Sequence, residues 1–170
     1  MSHLLYLLRH AKSDWKKEAV TDFERPLSKR GMSNAPKMAA WLAKQANIPA
    51  TIISSPALRA YQTALIFAHA LDIQVQDIHF DNRIYEASLD TLLTVIRALP
   101  EQEKSVLLIG HNPGLDFLLQ VLCRQQTKPR TDGKLMTTCA VAKIAVESQW
   151  RDIAEKHCML YSLSRPKEVL

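Results

Sequence analysis

Four side chains scattered along this 170-residue sequence suit one task, the holding of a small and highly charged anion. Arg9 and His10 follow the apolar run Leu4-Leu5-Tyr6-Leu7-Leu8, Arg59 follows Ser54-Ser55-Pro56, and His111 follows Val106-Leu107-Leu108-Ile109-Gly110. A phosphoryl group spreads negative charge over its oxygens. The planar fork of a guanidinium matches that geometry and stays charged at any working pH. Each residue also has a plainer reading. Arg9-His10 is ordinary decoration at a strand end, Arg59 a solvated helix residue, and His111 a side chain bonded across the turn at Gly110. What separates the readings is whether the fold brings the four together.

Hydrophobic periodicity supplies the elements that would do so. Residues 4–8 and 51–55 read as short strands buried on both faces, the second stopped by Pro56. Residues 105–110 are the clearest buried strand, residues 73–80 alternate weakly as a third strand, and 138–146 and 158–163 read as closing strands. Between them, Ser28 can cap a helix whose apolar face is Ala35, Met38, Ala39, Leu42 and Ala43. Pro36 is expected in the first turn of that helix or at its beginning. Further helices are expected over residues 57–71, 89–99 and 114–122, and a polar loop over 11–27. Strands alternating with helices predict an α/β fold, a three-layer sandwich around a largely parallel central sheet, with one domain over residues 1–170. Ligands of open α/β sheets bind beyond the carboxyl ends of the strands. That rule sends Arg9, His10, Arg59 and His111 to one rim, where loops feeding helices also present backbone N–H groups to an anion.

Composition narrows the class without choosing the ligand. With 47% hydrophobic and 23% charged residues the chain can fill a core. Lys plus Arg number 22 against 17 acids, a formal charge of +5. That excess suits phosphates, acidic proteins or nucleic acid, and equally an ordinary solvated surface. Aromatic residues are only 6% and no stacking motif is present, which argues against a nucleic-acid partner. No apolar run reaches the roughly 18 residues of a membrane span. The apolar N-terminal stretch lacks a basic leader, which argues against a secretory signal. Cys123, Cys139 and Cys158 form no CxxC pair and read as buried thiols of a reduced, cytoplasmic protein.

The segment Leu7-Leu8-Arg9-His10-Ala11-Lys12-Ser13 resembles the signature of the histidine phosphatase superfamily, the phosphoglycerate-mutase-like proteins. Ser54-Ser55-Pro56-Ala57-Leu58-Arg59-Ala60-Tyr61-Gln62-Thr63-Ala64 resembles that family's second block, and Gly110-His111-Asn112-Pro113-Gly114 its third. Arg25-Pro26-Leu27-Ser28-Lys29-Arg30-Gly31 matches the segment leading into the family's first helix. The blocks run in the family's order across residues 4–119, and the Arg-His-Ala-Lys-Ser variant is most similar to the SixA-type phosphohistidine phosphatases. Ala11 departs from the usual glycine, and Lys16 stands where mutases often carry asparagine.

The resemblance implies His10 as nucleophile, with Arg9, Arg59 and His111 around the phosphate. Arg25 reads either as a contact to the phosphate or substrate or as an ion-pair partner of Asp22 or Glu24 beside it. It implies Glu86 as the proton donor, with Asp14 as the fallback, although Glu86 also reads as an acid favouring the dipole of the following helix. Neutral His10 would attack phosphorus in line, its second nitrogen held as N–H by a carbonyl or other acceptor, and water would hydrolyse the phosphohistidine. No metal or cofactor is expected. The partner is expected to be a phosphorylated protein carrying phosphohistidine, or a small phosphorylated substrate, with no membrane involved. A small-molecule phosphomonoesterase and a non-catalytic phosphate-binding module are the alternatives. A metallohydrolase built on His10, His111 and Glu86 lacks any HxH or HExxH spacing, and a mutase lacks room for a lid between Phe80 and Leu89.

Overall fold

Alternate residues of the first strand, β1 (His3–Arg9), enter two different cores: Leu5 and Leu7 on one face, Tyr6 and Leu8 on the other. The same division runs through β4 (Ser105–Gly110), with Val106 and Leu108 on the first face and Leu107 and Ile109 on the second. A strand that is apolar on both sides needs a layer of helices over each. The computed structural model, which describes residues 2–16, 20–125 and 127–170, has that arrangement. Helices α1 (Lys29–Ala43) and α2 (Leu58–Ala70) cover the Tyr6 face, and α3 (Leu89–Arg97) and α4 (Gly114–Leu122) the Leu5 face.

The six strands lie in the order β3-β2-β4-β1-β5-β6, with β2 at Thr51–Ser54, β3 at His79–Phe80, β5 at Val141–Val146 and β6 at Met159–Ser164. The pairs β3–β2, β2–β4 and β4–β1 are parallel, whereas β1–β5 and β5–β6 are antiparallel. Largely parallel and three-layered, the architecture is the one expected. A short helix α5 (Pro166–Val169) follows β6.

Two expectations need correction. Residues 73–80 do not form a full strand: Val75–Asp77 make a 3₁₀ turn and pairing is confined to His79–Phe80, both exposed. Gln74, Val75, Gln76 and Asp77 are exposed at this sheet edge, and Ile78 alone in the segment is buried. Pro36 lies inside α1 rather than in its first turn, since the helix begins at Lys29, capped by the Ser28 hydroxyl accepting from the Gly31 N–H. Burial of Ala35, Met38, Ala39 and Leu42 offsets the missing proline N–H, so packing overrides propensity. Residues 11–27 are loop where described, and 17–19 lie outside the described residues. Among the described residues no helix is long and apolar enough to cross a membrane.

Candidate functional site

Strand register brings the site residues level. Arg9 pairs with Gly110 at the ends of β1 and β4, and Ser54 pairs with Ile109. Ladder bonds continue one residue further, His10 donating its N–H to the Gly110 carbonyl (3.1 Å) and Ser55 to that of Ile109 (3.0 Å). Arg9, His10, Arg59 and His111 therefore line one cavity of about 680 Å³ at the carboxyl edge, together with Ser13, Trp15, Asp22, Arg25, Glu86 and Phe117. The rings of His10 and His111 are 5.1 Å apart.

The buried imidazole of His10 is held in one tautomer. Its Nδ1–H donates to the Ala11 carbonyl at 2.7 Å, and its Nε2 accepts from Arg59 Nε at 3.4 Å. Nε2 thus carries the lone pair, beside a guanidinium. Burial, followed by the nearby His111, Arg59 and Arg9, pushes His10 well below its ordinary value of 6.5, outweighing the opposing carbonyl. The Ala11 carbonyl is fixed in turn, because the Ala11 N–H donates to Thr63 Oγ1 (3.1 Å) and Thr63 donates to the Arg59 carbonyl one helical turn back (2.7 Å). The methyl of Ala11 packs into the α1–α2 core, so its replacement of glycine leaves the cavity clear.

Each remaining group has its own support. Arg9 Nη1 donates to the Met136 carbonyl (3.0 Å), and the Asp116 carboxylate in the first turn of α4 holds that segment through the N–H groups of Leu135 and Met136. His111 Nε2 and the Ser55 hydroxyl hydrogen-bond at 2.8 Å, and burial with the Arg59 charge lowers His111 to about 4. Gly114 opens α4 against the Glu86–Ala87 turn so closely that a Cβ would lie 2.9 Å from the Ala87 carbonyl oxygen. On the opposite wall a Cβ at Gly31 would lie 2.1 Å from the Lys12 carbonyl oxygen, so glycine alone lets α1 meet the loop after β1.

Asp22 organises the positive charge. Its carboxylate accepts from Arg59 Nη2 (3.1 Å), Arg25 Nη2 (3.0 Å) and the Tyr85 hydroxyl (2.6 Å). Burial alone would raise this carboxyl, but the Tyr85, Arg25 and Arg59 contacts outweigh it and hold Asp22 well below the usual carboxylate range. Arg25 also donates to Ser13 Oγ and stacks its guanidinium 3.6 Å from the Trp15 ring centre. Asp22 entered the sequence reading only as an ion-pair partner for Arg25. Its three partners lie at positions 25, 59 and 85, and spacing along the chain carries no sign of that convergence. Ser55 and Thr63 sit inside the second block, where no role was assigned to either.

Of the two carboxylates expected as donors, Glu86 lines the cavity, from a turn where its backbone is left-handed (φ 51°). Asp14 does not line it; its carboxylate accepts from the Lys16 N–H at 2.9 Å. Lys16 is exposed and also outside the cavity lining. Three buried nitrogens of cavity-lining residues, Arg9 Nε, Arg25 Nε and His111 Nδ1, have no hydrogen-bond partner among the described residues. Also among these residues, no three His, Cys, Asp or Glu side chains cluster so as to hold a metal ion. What the site offers is a fixed imidazole lone pair, flanked by guanidinium and imidazole donors, on the wall of an open cavity.

A family model described as the histidine phosphatase superfamily (branch 1) matches residues 5–92. The chain belongs to that superfamily, and its fold is phosphoglycerate-mutase-like. It is 28% identical over 144 residues to the phosphohistidine phosphatase SixA of Escherichia coli strain K12, covering 84% of this chain and 85% of that one. A solved structure of the protein histidine phosphatase SixA complexed with tungstate superposes with a TM-score of 0.81 at 24% identity, covering 98% and 99% of the two chains. A mycobacterial glucosyl-3-phosphoglycerate phosphatase shares the fold at a TM-score of 0.65 and 17% identity, covering 95% and 98%.

Proposed function

We propose that this phosphatase transfers the phosphoryl group of its substrate to Nε2 of His10 and then to water, and that the substrate is phosphohistidine on a partner protein. The observation that carries the reading is the His10 tautomer. With Nδ1–H committed to the Ala11 carbonyl, the lone pair sits on Nε2 beside Arg59, where a phosphate held by the guanidinium would present its phosphorus.

In the first step the Nε2–P bond forms as the P–N bond of the substrate breaks, and the leaving imidazole keeps or takes up a proton. In the second, a water oxygen bonds to phosphorus, the Nε2–P bond breaks, the water proton is lost, and inorganic phosphate leaves with His10 restored. Arg9, Arg59 and His111 stabilise the equatorial oxygens, and Arg25 supplies further positive charge from beneath Trp15. Preorganised donors of this kind are each worth about 3–4 kcal/mol. The oxygens would also satisfy the unpartnered nitrogens of Arg9 and His111. The steps call for no metal or cofactor, because the guanidinium groups supply the charge.

A second reading, a small-molecule phosphomonoesterase, is favoured by one observation: Glu86 lines the cavity, where a carboxylic acid could protonate a leaving alkoxide. Phosphohistidine, whose leaving nitrogen is readily protonated, asks less of that acid. A cytoplasmic setting agrees with three free, buried cysteines. Incubation with ³²P-labelled phosphohistidine protein and a panel of phosphoesters, quenched in alkaline detergent to preserve a P–N bond, tests both readings. Label should appear on the wild type and be absent from His10→Ala, with turnover of phosphohistidine exceeding that of the esters. Full turnover by His10→Ala would end the proposal, and faster ester hydrolysis would transfer it to the second reading.

A further inference from the structure

A second cavity of about 380 Å³ adjoins the first and shares Arg9, Lys12 and Thr138 with it. Its charged lining is Arg9, Lys12, Arg30, Arg130, Lys134 and Lys167 against the single acid Asp132. That local excess of five equals the formal excess of the whole chain, +5. Positive charge is therefore concentrated here, and the rest of the molecule is balanced. Lys12, Arg30, Arg130, Lys134 and Lys167 form no ion pair among the described residues. Like charges gathered without partners repel one another, a cost that an anionic ligand would relieve.

We infer that this annex binds a run of carboxylates, an acidic segment flanking the phosphorylated residue of a protein substrate. The inference rests on the reading given under Proposed function and deepens it by naming what selects the substrate. A phosphohistidine reaching down to His10 leaves its own backbone at the rim, and Arg9 and Lys12 there lead directly into the annex. The annex cations do not converge on one point. Arg130 and Lys134 lie at the ends of a turn closed by Gly133 N–H to the Arg130 carbonyl (2.8 Å) and Arg130 N–H to the Lys134 carbonyl (3.0 Å), Arg30 is on α1 and Lys167 on α5. Lys12, Arg30, Lys134 and Lys167 are exposed. Ammonium and guanidinium groups spread over separate elements suit several carboxylates better than one tetrahedral phosphate, which calls for a tight bidentate cradle. The cavity around His10 is itself lined by Trp15, Phe117 and Leu89, the first two 69% and 52% exposed. A bound polypeptide would thus meet aromatic surface around its phosphohistidine and cations in the adjoining annex.

The test compares two synthetic phosphohistidine peptides, one flanked by Asp and Glu and one by Gln and Ala, with phosphoramidate as a substrate too small to reach the annex. The wild type should favour the acidic peptide by about tenfold in kcat/KM at low salt, through KM, with the preference shrinking as salt rises. The double variant Arg130→Glu/Lys134→Glu should lose the preference while hydrolysing phosphoramidate at the wild-type rate. Binding of the unphosphorylated acidic peptide, followed by fluorescence anisotropy, should be weakened in the same variant. Equal turnover and equal binding of both peptides, with phosphoramidate still hydrolysed, would overturn the annex and leave the phosphatase reading intact. If no substrate is turned over, the phosphatase reading fails, and the anisotropy result still decides the annex. A short oligonucleotide that binds through Arg130 and Lys134 where the acidic peptide does not would also overturn it, in favour of nucleic acid.

Discussion

Replacing Thr63 by valine isolates the support behind the His10 tautomer. Threonine and valine have nearly the same shape, and Thr63 is fully buried, so the change removes a hydroxyl and little else. Two hydrogen bonds go with it, the one accepted from the Ala11 N–H at 3.1 Å and the one donated to the Arg59 carbonyl at 2.7 Å. The carbonyl keeps its helical partner four residues on, as any interior residue of α2 does. The Ala11 N–H has no such reserve and becomes a buried, unsatisfied donor, which costs about 1–3 kcal/mol. A chain of this size loses about 2–4 °C in Tm per kcal/mol, so Thr63→Val should melt roughly 2–12 °C below the wild type. Activity should fall as well, because the Ala11 carbonyl that orients His10 belongs to the residue set loose. Thr63→Ser retains the oxygen and should recover most of both losses. Calorimetry and steady-state kinetics on the three proteins check this. A valine variant melting within 1 °C of the wild type, or a serine variant as impaired as the valine one, would refute the reasoning.

Other expectations follow from the same contacts. Burial leaves His111 at about 4 and His10 well below 6.5, so the unfolded chain takes up protons that the folded one refuses. Stability on this account is complete above pH 6.5 and is lost as pH falls toward 4, and Tm measured across that window for the wild type and His111→Asn should show the shallower slope in the variant. Glu86→Gln should slow phosphoester hydrolysis by about 10²–10⁴-fold and phosphohistidine hydrolysis far less, whereas equal losses on both substrates would remove Glu86 as leaving-group acid. Gly31→Ala, whose methyl would meet the Lys12 carbonyl at 2.1 Å, should lower Tm more than Gly114→Ala, where the nearest approach is 2.9 Å. The reverse order in melting scans would show that the loop after β1 yields more readily than α4.

The parts of the fold that the sequence made legible are those where one residue type recurs at a fixed spacing. Unbroken apolar runs at β1, β2 and β4 signal strands covered on both faces, and hence the layering and the rim. Residues 73–80 misled because weak alternation in a short, mostly exposed segment at a sheet edge is indistinguishable from chance. Pro36 misled because local propensity carries no knowledge of how well Ala35, Met38 and Ala39 pack. In the site, Arg9, His10, Arg59 and His111 were readable because each ends or follows a recognisable strand. Asp22 was not, since its meaning lies in three partners that only the fold assembles. Thr63 was hidden for a related reason: its hydroxyl bonds a backbone group 52 positions away, and a threonine on a helix gives no outward sign of that.

The separation of the two imidazoles is written into the ladder between β1 and β4, where Arg9 sits opposite Gly110, and not into the loops beyond. A slip of one residue would displace one histidine by about 3.3 Å and turn its strand's core residues to the wrong side. The segment 127–134 holds no part of that spacing. It can therefore be shortened, lengthened or exchanged while the spacing between the two histidines stays where the sheet keeps it, whereas the segment 20–25 has to keep Asp22 and Arg25 beside Arg59.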